Sequence, residues 1–173
     1  LTIESWKTAI RRKKLSKPVQ LYKHELKGMI LNYGSGHGED TELLRLEDYE
    51  IYNYDKFFDS DADLSIKYDT IICNYVLNVI PTIDERVAVL MHIKELLKDN
   101  GCAYITVRHQ SEFKSLKTSV KYNDGVITTK NTFQKFYDKQ ELIEFVGKHF
   151  NNSNLIHNNP LIIKIQNKQR IDN

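Results

Sequence analysis

The chain has 173 residues, 40% hydrophobic and 28% charged, with a formal net charge of +2; this is the profile of one globular domain, long enough to bury a core without disulfides or a structural metal. No run approaches the ~20 apolar residues of a membrane span, the first residues lack the apolar core of a signal peptide, and both cysteines, Cys73 and Cys102, lie inside apolar runs where they are expected to be reduced and buried. Membrane and secreted classes are set aside, and a cytoplasmic protein is expected.

Residues 1–27 read as a basic helical arm preceding a domain over 28–173. Lys7, Arg11, Arg12, Lys13, Lys14, Lys17 and Lys23 come with no acid between Glu4 and Glu25, and Pro18 is expected to interrupt the helix. Acids gather instead between Glu39 and Asp69.

From residue 28 short strands alternate with helices. Gly28 to Tyr33 is an apolar run ending in glycines, as a buried parallel strand does. Glu39 to Leu46 reads as a helix with Leu43, Leu44 and Leu46 inward, Ile51 to Tyr54 as a second strand and Asp69 to Cys73 as a third. Thr82 and Glu85 have capping-box spacing, and Val87, Leu90, Ile93, Leu96 and Leu97 carry helical periodicity to a stop at Asn100-Gly101. A central strand from Cys102 to Val107 follows.

Asn123-Asp124-Gly125 between β-prone runs signals a small inserted hairpin, and Asp138 with Glu141 opens a helix to about Phe150. Asn154 to His157 and Leu161 to Gln166 read as an antiparallel terminal pair. Strands joined by short helical crossovers make an α/β open sheet.

In such a sheet the ligand crevice lies at the carboxyl ends of the strands. There the loop Asn32-Tyr-Gly34-Ser35-Gly36-His37-Gly38 leaves the first strand and opens a helix, its glycines allowing close backbone approach and exposing amides. Asp55 ends the second strand, where a carboxylate can accept hydrogen bonds from both hydroxyls of a ribose, and Phe57 and Phe58 follow as candidate partners for an adenine face. No Gly-Lys-Ser/Thr occurs, which excludes a nucleoside-triphosphate P-loop, and no spacing suggests a metal site.

The glycine loop, Asp55, Tyr68 to Asn78 and Leu96 to Gly101 together resemble a class I S-adenosylmethionine-dependent methyltransferase. More narrowly the chain resembles the DNA phosphorothioation-associated methyltransferase family, through Lys7 to Arg11, Leu15 to Pro18, Tyr33 to Gly38, Val76 to Ile80 with Glu85-Arg86, Asp124 to Thr128 and Thr132 to Phe136. The resemblance spans roughly 7–142 and implies a Rossmann-like sheet and S-adenosylmethionine as cofactor. It implies that Gly34, Gly36 and Gly38 face the methionine portion and Asp55 the ribose, with Asn32, Ser35, Lys56, Phe57 and Asn74 completing the contacts.

Two departures matter. Asn32 stands where an acid is usual, and the interval from Asp55 to Asp69 is too short for the usual helix and third strand, so that edge of the sheet is expected to be abbreviated. Asp61 and Asp63 are candidates for adenine contacts there, a solvated acidic loop being the plainer reading.

Methyl transfer from a sulfonium is an in-line displacement, and a base is needed only when the nucleophile arrives protonated. The strand ends nearest the methyl offer Asn74, Tyr75 and Asn78, then Arg108, His109 and Gln110. His109 is the candidate base, while Asn78 and Asn74 are candidates to orient the acceptor. Cys73 and Cys102 lack the context of an attacking thiolate. The arm, through Arg11, Arg12, Lys13 and Lys14, and the family association favour a nucleic-acid substrate. The alternatives are a small-molecule methyltransferase and a cofactor-binding module without activity.

Overall fold

The structure, a computed structural model, describes residues 2–115 and 119–168. Its centre is a six-stranded sheet built from β1 (Met29–Tyr33), β2 (Glu50–Tyr54), β3 (Tyr68–Asn74), β4 (Leu97–Val107), β8 (Ser153–Asn158) and β9 (Leu161–Gln166), in the order β2-β1-β3-β4-β9-β8. The first four are parallel neighbours. β9 runs antiparallel to both β4 and β8, which leaves β8 parallel to the rest.

Adjacent residues on each strand feed opposite faces, as the period of two requires. Leu31, Ile71, Ala103 and Ile163 belong to a core shared with Leu90 and Ile93 of α3 (Ile83–Leu96) and Leu142 and Val146 of α4 (Lys139–Gly147). Ile30, Ile72, Tyr104 and Ile162 face the other way, against Val19 and Tyr22 of α1 (Lys17–Tyr22) and Leu44 of α2 (Glu39–Leu46). Burial on both faces is why these strands read as continuous apolar runs.

Residues 55–67 hold neither helix nor strand, so β2 is the edge of the sheet, as the short interval anticipates. The capping boxes form where expected. Thr82 Oγ1 accepts from the Glu85 amide and donates to its carboxylate, and Asp138 Oδ1 accepts from the Glu141 amide at 2.8 Å. Asp138→Ala should therefore cost about 1 kcal/mol in urea unfolding, the usual value of an N-cap; an unchanged midpoint would show that α4 starts without it.

Several expectations are corrected. Pro18 does not interrupt a helix; it sits in the first turn of α1, where its missing N–H falls among donors that have no intrahelical partner anyway. The arm before it is a single 3-10 turn, Ser5–Thr8, followed by non-helical chain. Leu46 is 81% exposed because two helical steps carry it to the far side of α2 from the fully buried Leu44. β4 starts at Leu97, five residues before its expected start, and a register shift opposite Tyr68/Thr70 absorbs Asn100 at φ +63°. The hairpin of β5 (Ser119–Tyr122) and β6 (Gly125–Thr128) gains a third strand, β7 (Phe133–Gln134).

This small sheet is tied down by charge. Arg86 of α3, 2% exposed, makes two hydrogen bonds to Asp124 at 2.6 and 2.7 Å and a third to the Ile80 carbonyl. Lys135, also buried, bridges Asp124 and Glu141 of α4. No helix among the described residues is long and apolar enough to cross a membrane.

Candidate active site

The carboxyl ends of β1, β2 and β3 open into a cavity of about 400 Å³, within the range of small-molecule sites. Its walls are the arm from Ser5 to Arg12, the glycine loop, Asp55 to Phe58, Asn74 to Val76, and the chain from Val79 into α3.

Gly34, Gly36 and Gly38 all have left-handed φ, +77°, +56° and +78°. A Cβ on Gly34 would lie 2.2 Å from Val76 Cγ2, so only glycine lets the loop pass the end of β3. The expected exposed amides are already used. Those of Gly34 and Ser35 donate to the Tyr54 carbonyl at 2.7 and 3.1 Å, that of Gly36 to Asp55 Oδ2 at 2.7 Å, and that of Gly38 to the Ser35 carbonyl. The loop thus serves by shape. Gly38 is absent from the cavity wall and opens α2, whose first turn carries Glu39, Asp40 and Glu42 against the positive helix end.

Asp55 is the centre of the nucleoside side. Its two oxygens accept from the Gly36 and Phe57 amides, at 2.7 and 2.8 Å, and a carboxylate retains lone pairs for a ribose. Lys56 and Phe57 line the cavity beside it, with the Lys56 ammonium 5.6 Å from the Phe57 ring. Asp61 and Asp63 do not reach the cavity: the first pairs with Arg45 and the second with its own turn at Ser65. Ser35 Oγ is a buried cavity-lining oxygen without a partner. An orphaned hydroxyl beside a carboxylate and amphipathic walls fits a polar cofactor.

Asn32 is buried in the wall and donates to Thr41, which in turn donates to Asn53 at 2.5 Å. A neutral amide can be satisfied in this chain without a counter-ion; a carboxylate there would face the Asn53 oxygen across a single hydroxyl. Asn74 also lines the cavity, but its oxygen already accepts from Tyr22 and Thr106, at 2.7 and 2.8 Å, leaving only its amide nitrogen to offer.

The other two acceptor-side candidates lie elsewhere. Asn78, 1% exposed, bonds Gln134 through its side chain and Lys135 through its carbonyl, so it is buried under the small sheet. His109 is turned to a β-bridge with Tyr137, and its Nδ1 engages Ser111 at 2.8 Å. That pairing takes Arg108 to Gln110 away from the crevice, and none of the three lines it. Gln134 and Lys135 are likewise buried.

Tyr75, offered by the sequence among the strand ends, lines the cavity, and sequence reasoning missed Trp6 and the α3 wall around Val89, which line it too. It also missed His92, whose Nδ1 is 2.8 Å from the hydroxyl of cavity-lining Tyr33. Tyr75 holds φ +58°, an uncommon conformation for a bulky residue and one that clusters at functional sites. Burial raises the titration of both Tyr33 and Tyr75, so both phenols stay neutral. Burial likewise pushes the Cys73 thiol up to about 12, which removes it as a nucleophile. Among the described residues, no cluster of histidine, cysteine or carboxylate side chains could hold a metal ion.

Arg11 and Arg12 meet acids of α2, at 3.8 Å from Glu39 and 3.5 Å from Asp40. Asp40 is buried and also accepts from the amide and hydroxyl of Ser16, both at 2.7 Å. The arm therefore lies along the cavity mouth and not across the back of the sheet.

No curated protein matches the chain. Among solved structures it is similar to the 1,6-didemethyltoxoflavin N1-methyltransferase of Burkholderia thailandensis, solved with 1,6-didemethyltoxoflavin and S-adenosylhomocysteine. That likeness has a TM-score of 0.65 at 14% identity and covers 88% of this chain and 78% of the other. A methyltransferase of Methanosarcina mazei gives 0.63 at 13% identity, covering 90% and 99%. One of Bacteroides fragilis, in complex with S-adenosylhomocysteine, gives 0.60 at 12%, covering 91% and 80%. The methyltransferase domain model matches residues 8–151, from inside the arm to just short of β8. With the glycine loop, the strand-end acid and the sheet order in place, the chain belongs to the methyltransferase domain family and is a class I S-adenosylmethionine-dependent methyltransferase.

Proposed function

We propose that the chain transfers the methyl group of S-adenosylmethionine to a small-molecule acceptor, in a cavity roofed by its own N-terminal arm. The observation that carries this reading is the place of the arm in the cavity wall, where Arg12 pairs with the buried Asp40 at 3.5 Å and so turns its charge on an acid of the same chain. The Burkholderia structure similar in fold is a 1,6-didemethyltoxoflavin N1-methyltransferase, which agrees with it.

The cofactor supplies an electrophilic methyl on a sulfonium. The residues that would hold it are the loop at Gly34 to Gly36, Asp55 at the ribose, and Asn32, Lys56, Phe57 and Asn74 along the walls. The protein's task is then to position the acceptor and keep water out. Tyr75, at the end of the central strand, stands where an acceptor can be oriented. For an acceptor that arrives protonated, the Tyr33 and His92 pair offers a hydrogen-bonded route for a proton to leave the cavity.

Labelled cofactor offered to the protein with metabolite, DNA and RNA fractions tests the reading, and the label is expected in the metabolite fraction. Label in nucleic acid would reverse it.

The second reading is a nucleic-acid substrate, and with it a place in the phosphorothioation-associated branch and a cytoplasmic site of action. Exposed Lys13 and Lys14, which make no ion pair among the described residues, favour it. Replacing Arg11, Arg12, Lys13 and Lys14 together should then flatten the dependence of log affinity on log salt by about 0.7–0.9 for each phosphate no longer neutralised. Because Arg12 already faces the buried Asp40, the exposed Arg11, Lys13 and Lys14 set the size of that change. An unaltered slope with intact cofactor binding would leave the arm as a cover only.

A further inference from the structure

The arm contributes the chain's single tryptophan to the cavity. Trp6 and Phe57 both line it, with ring centroids 6.3 Å apart and planes tilted by 59°. Both stay well exposed, 44% for Trp6 and 50% for Phe57, although each has the other as a neighbour. Two large rings held together at a cavity mouth, yet half in water, leave apolar area that a flat ligand would cover.

Their placement says which part of a ligand that is. The Phe57 amide donates to Asp55 at 2.8 Å, so the ring is fixed two residues from the carboxylate assigned to the ribose. The arm is held at both ends of the segment that carries Trp6. Before it, the Glu4 amide donates to the Asn131 carbonyl at 2.9 Å, and the Asn131 side chain donates to the Thr2 carbonyl. After it, Ala9 lies against Gly36, where an added Cβ would come within 3.4 Å of its methyl, and Arg12 reaches Asp40. Asn74 and Tyr75, at the end of β3, are separated from Asp55 and Phe57, at the end of β2, by the whole of β1.

We infer that Trp6 and Phe57 form an aromatic clamp that takes the adenine base of the cofactor. The arm is thereby a working wall of the cofactor site. The inference rests on the cofactor reading above and adds a residue, Trp6, that neither the glycine loop nor the strand-end acid implies. A purine joined to a ribose at Asp55 is the flat group within reach of both rings, and with their planes 59° apart they form a corner in which the base would lie face-on to one ring and meet the edge of the other.

Because Trp6 is the only tryptophan, its emission reports on the site directly. S-adenosylhomocysteine and adenosine should each change it, and homocysteine should not. By calorimetry, Trp6→Ala should weaken S-adenosylhomocysteine binding roughly 5- to 150-fold, the range of one base-stacking contact. Trp6→Phe should restore most of the affinity. Both variants should melt like the parent, since the side chain is half exposed.

S-adenosylhomocysteine binding with unchanged Trp6 emission, or a Trp6→Ala affinity within about twofold of the parent, would overturn the clamp alone. A response to homocysteine equal to that of adenosine would place Trp6 at the methionine end and overturn the adenine assignment. Failure of the unmodified protein to bind S-adenosylhomocysteine by calorimetry would overturn the cofactor reading and the clamp with it.

Discussion

Asp124→Ala is expected to destabilise the fold by about 3 kcal/mol in urea unfolding. The reason is Arg86. It is 2% exposed and keeps its charge through two short hydrogen bonds to Asp124 and one to the Ile80 carbonyl. Removing one partner of a buried pair typically costs about 3–5 kcal/mol, because the other charge is left without compensation. Asp124 is itself 36% exposed, so water can partly replace it, and the lower end of that range applies. For a chain of this length the change corresponds to roughly 6–12 °C in Tm.

The reverse removal should be milder. Arg86→Met deletes the charge that needs pairing and leaves Asp124 to water and Lys135. A larger loss for Arg86→Met than for Asp124→Ala would show that packing of the arginine stem, not its charge, holds the small sheet. The pH dependence has a definite sign. Hydrogen bonds from Arg86 hold the Asp124 carboxyl below the usual carboxylate range. Its stabilisation is therefore present above the unfolded value of about 4 and is lost as pH falls through the lower folded value.

Asp55→Ala should weaken S-adenosylhomocysteine binding by about 3 kcal/mol, roughly 150-fold in Kd. A carboxylate that accepts from ribose hydroxyls makes charge-assisted bonds of about 1.5–3 kcal/mol. The structure argues for the upper end, because the same oxygens hold the Gly36 and Phe57 amides and so shape both the glycine loop and the Phe57 side of the cavity. Asp55→Asn keeps one acceptor oxygen and should lose less than Asp55→Ala. Calorimetry on the folded variants decides it: an unchanged Kd for Asp55→Ala would move the ribose to another part of the wall.

The sequence by itself determined the parts whose causes are local. Thr82 with Glu85 and Asp138 with Glu141 mark helix starts because a side chain three residues from an amide can cap it wherever the helix lies in the fold. Asn123-Asp124-Gly125 turns a chain for the same kind of reason: Asn123 itself takes φ +48°. The glycine loop and Asp55 were legible because the end of a strand in an open sheet fixes both their position and their common direction.

Only the tertiary structure decided which side chains share the cavity. Asn78 and His109 follow the correct strands in sequence. One is buried beneath β7 and the other is drawn into a bridge with Tyr137, because long-range pairing with the chain from β7 onward redirects the segment after each strand. Trp6 and His92 reach the site from an irregular arm and from the flank of a helix, and no local pattern records either approach. Arg86, Asp124, Lys135 and Glu141 are scattered along the chain and carry ordinary surface chemistry in sequence. Burial of Arg86 and Lys135 turns the four into the knot that holds the small sheet, since a charge removed from water has to find its partners within the fold.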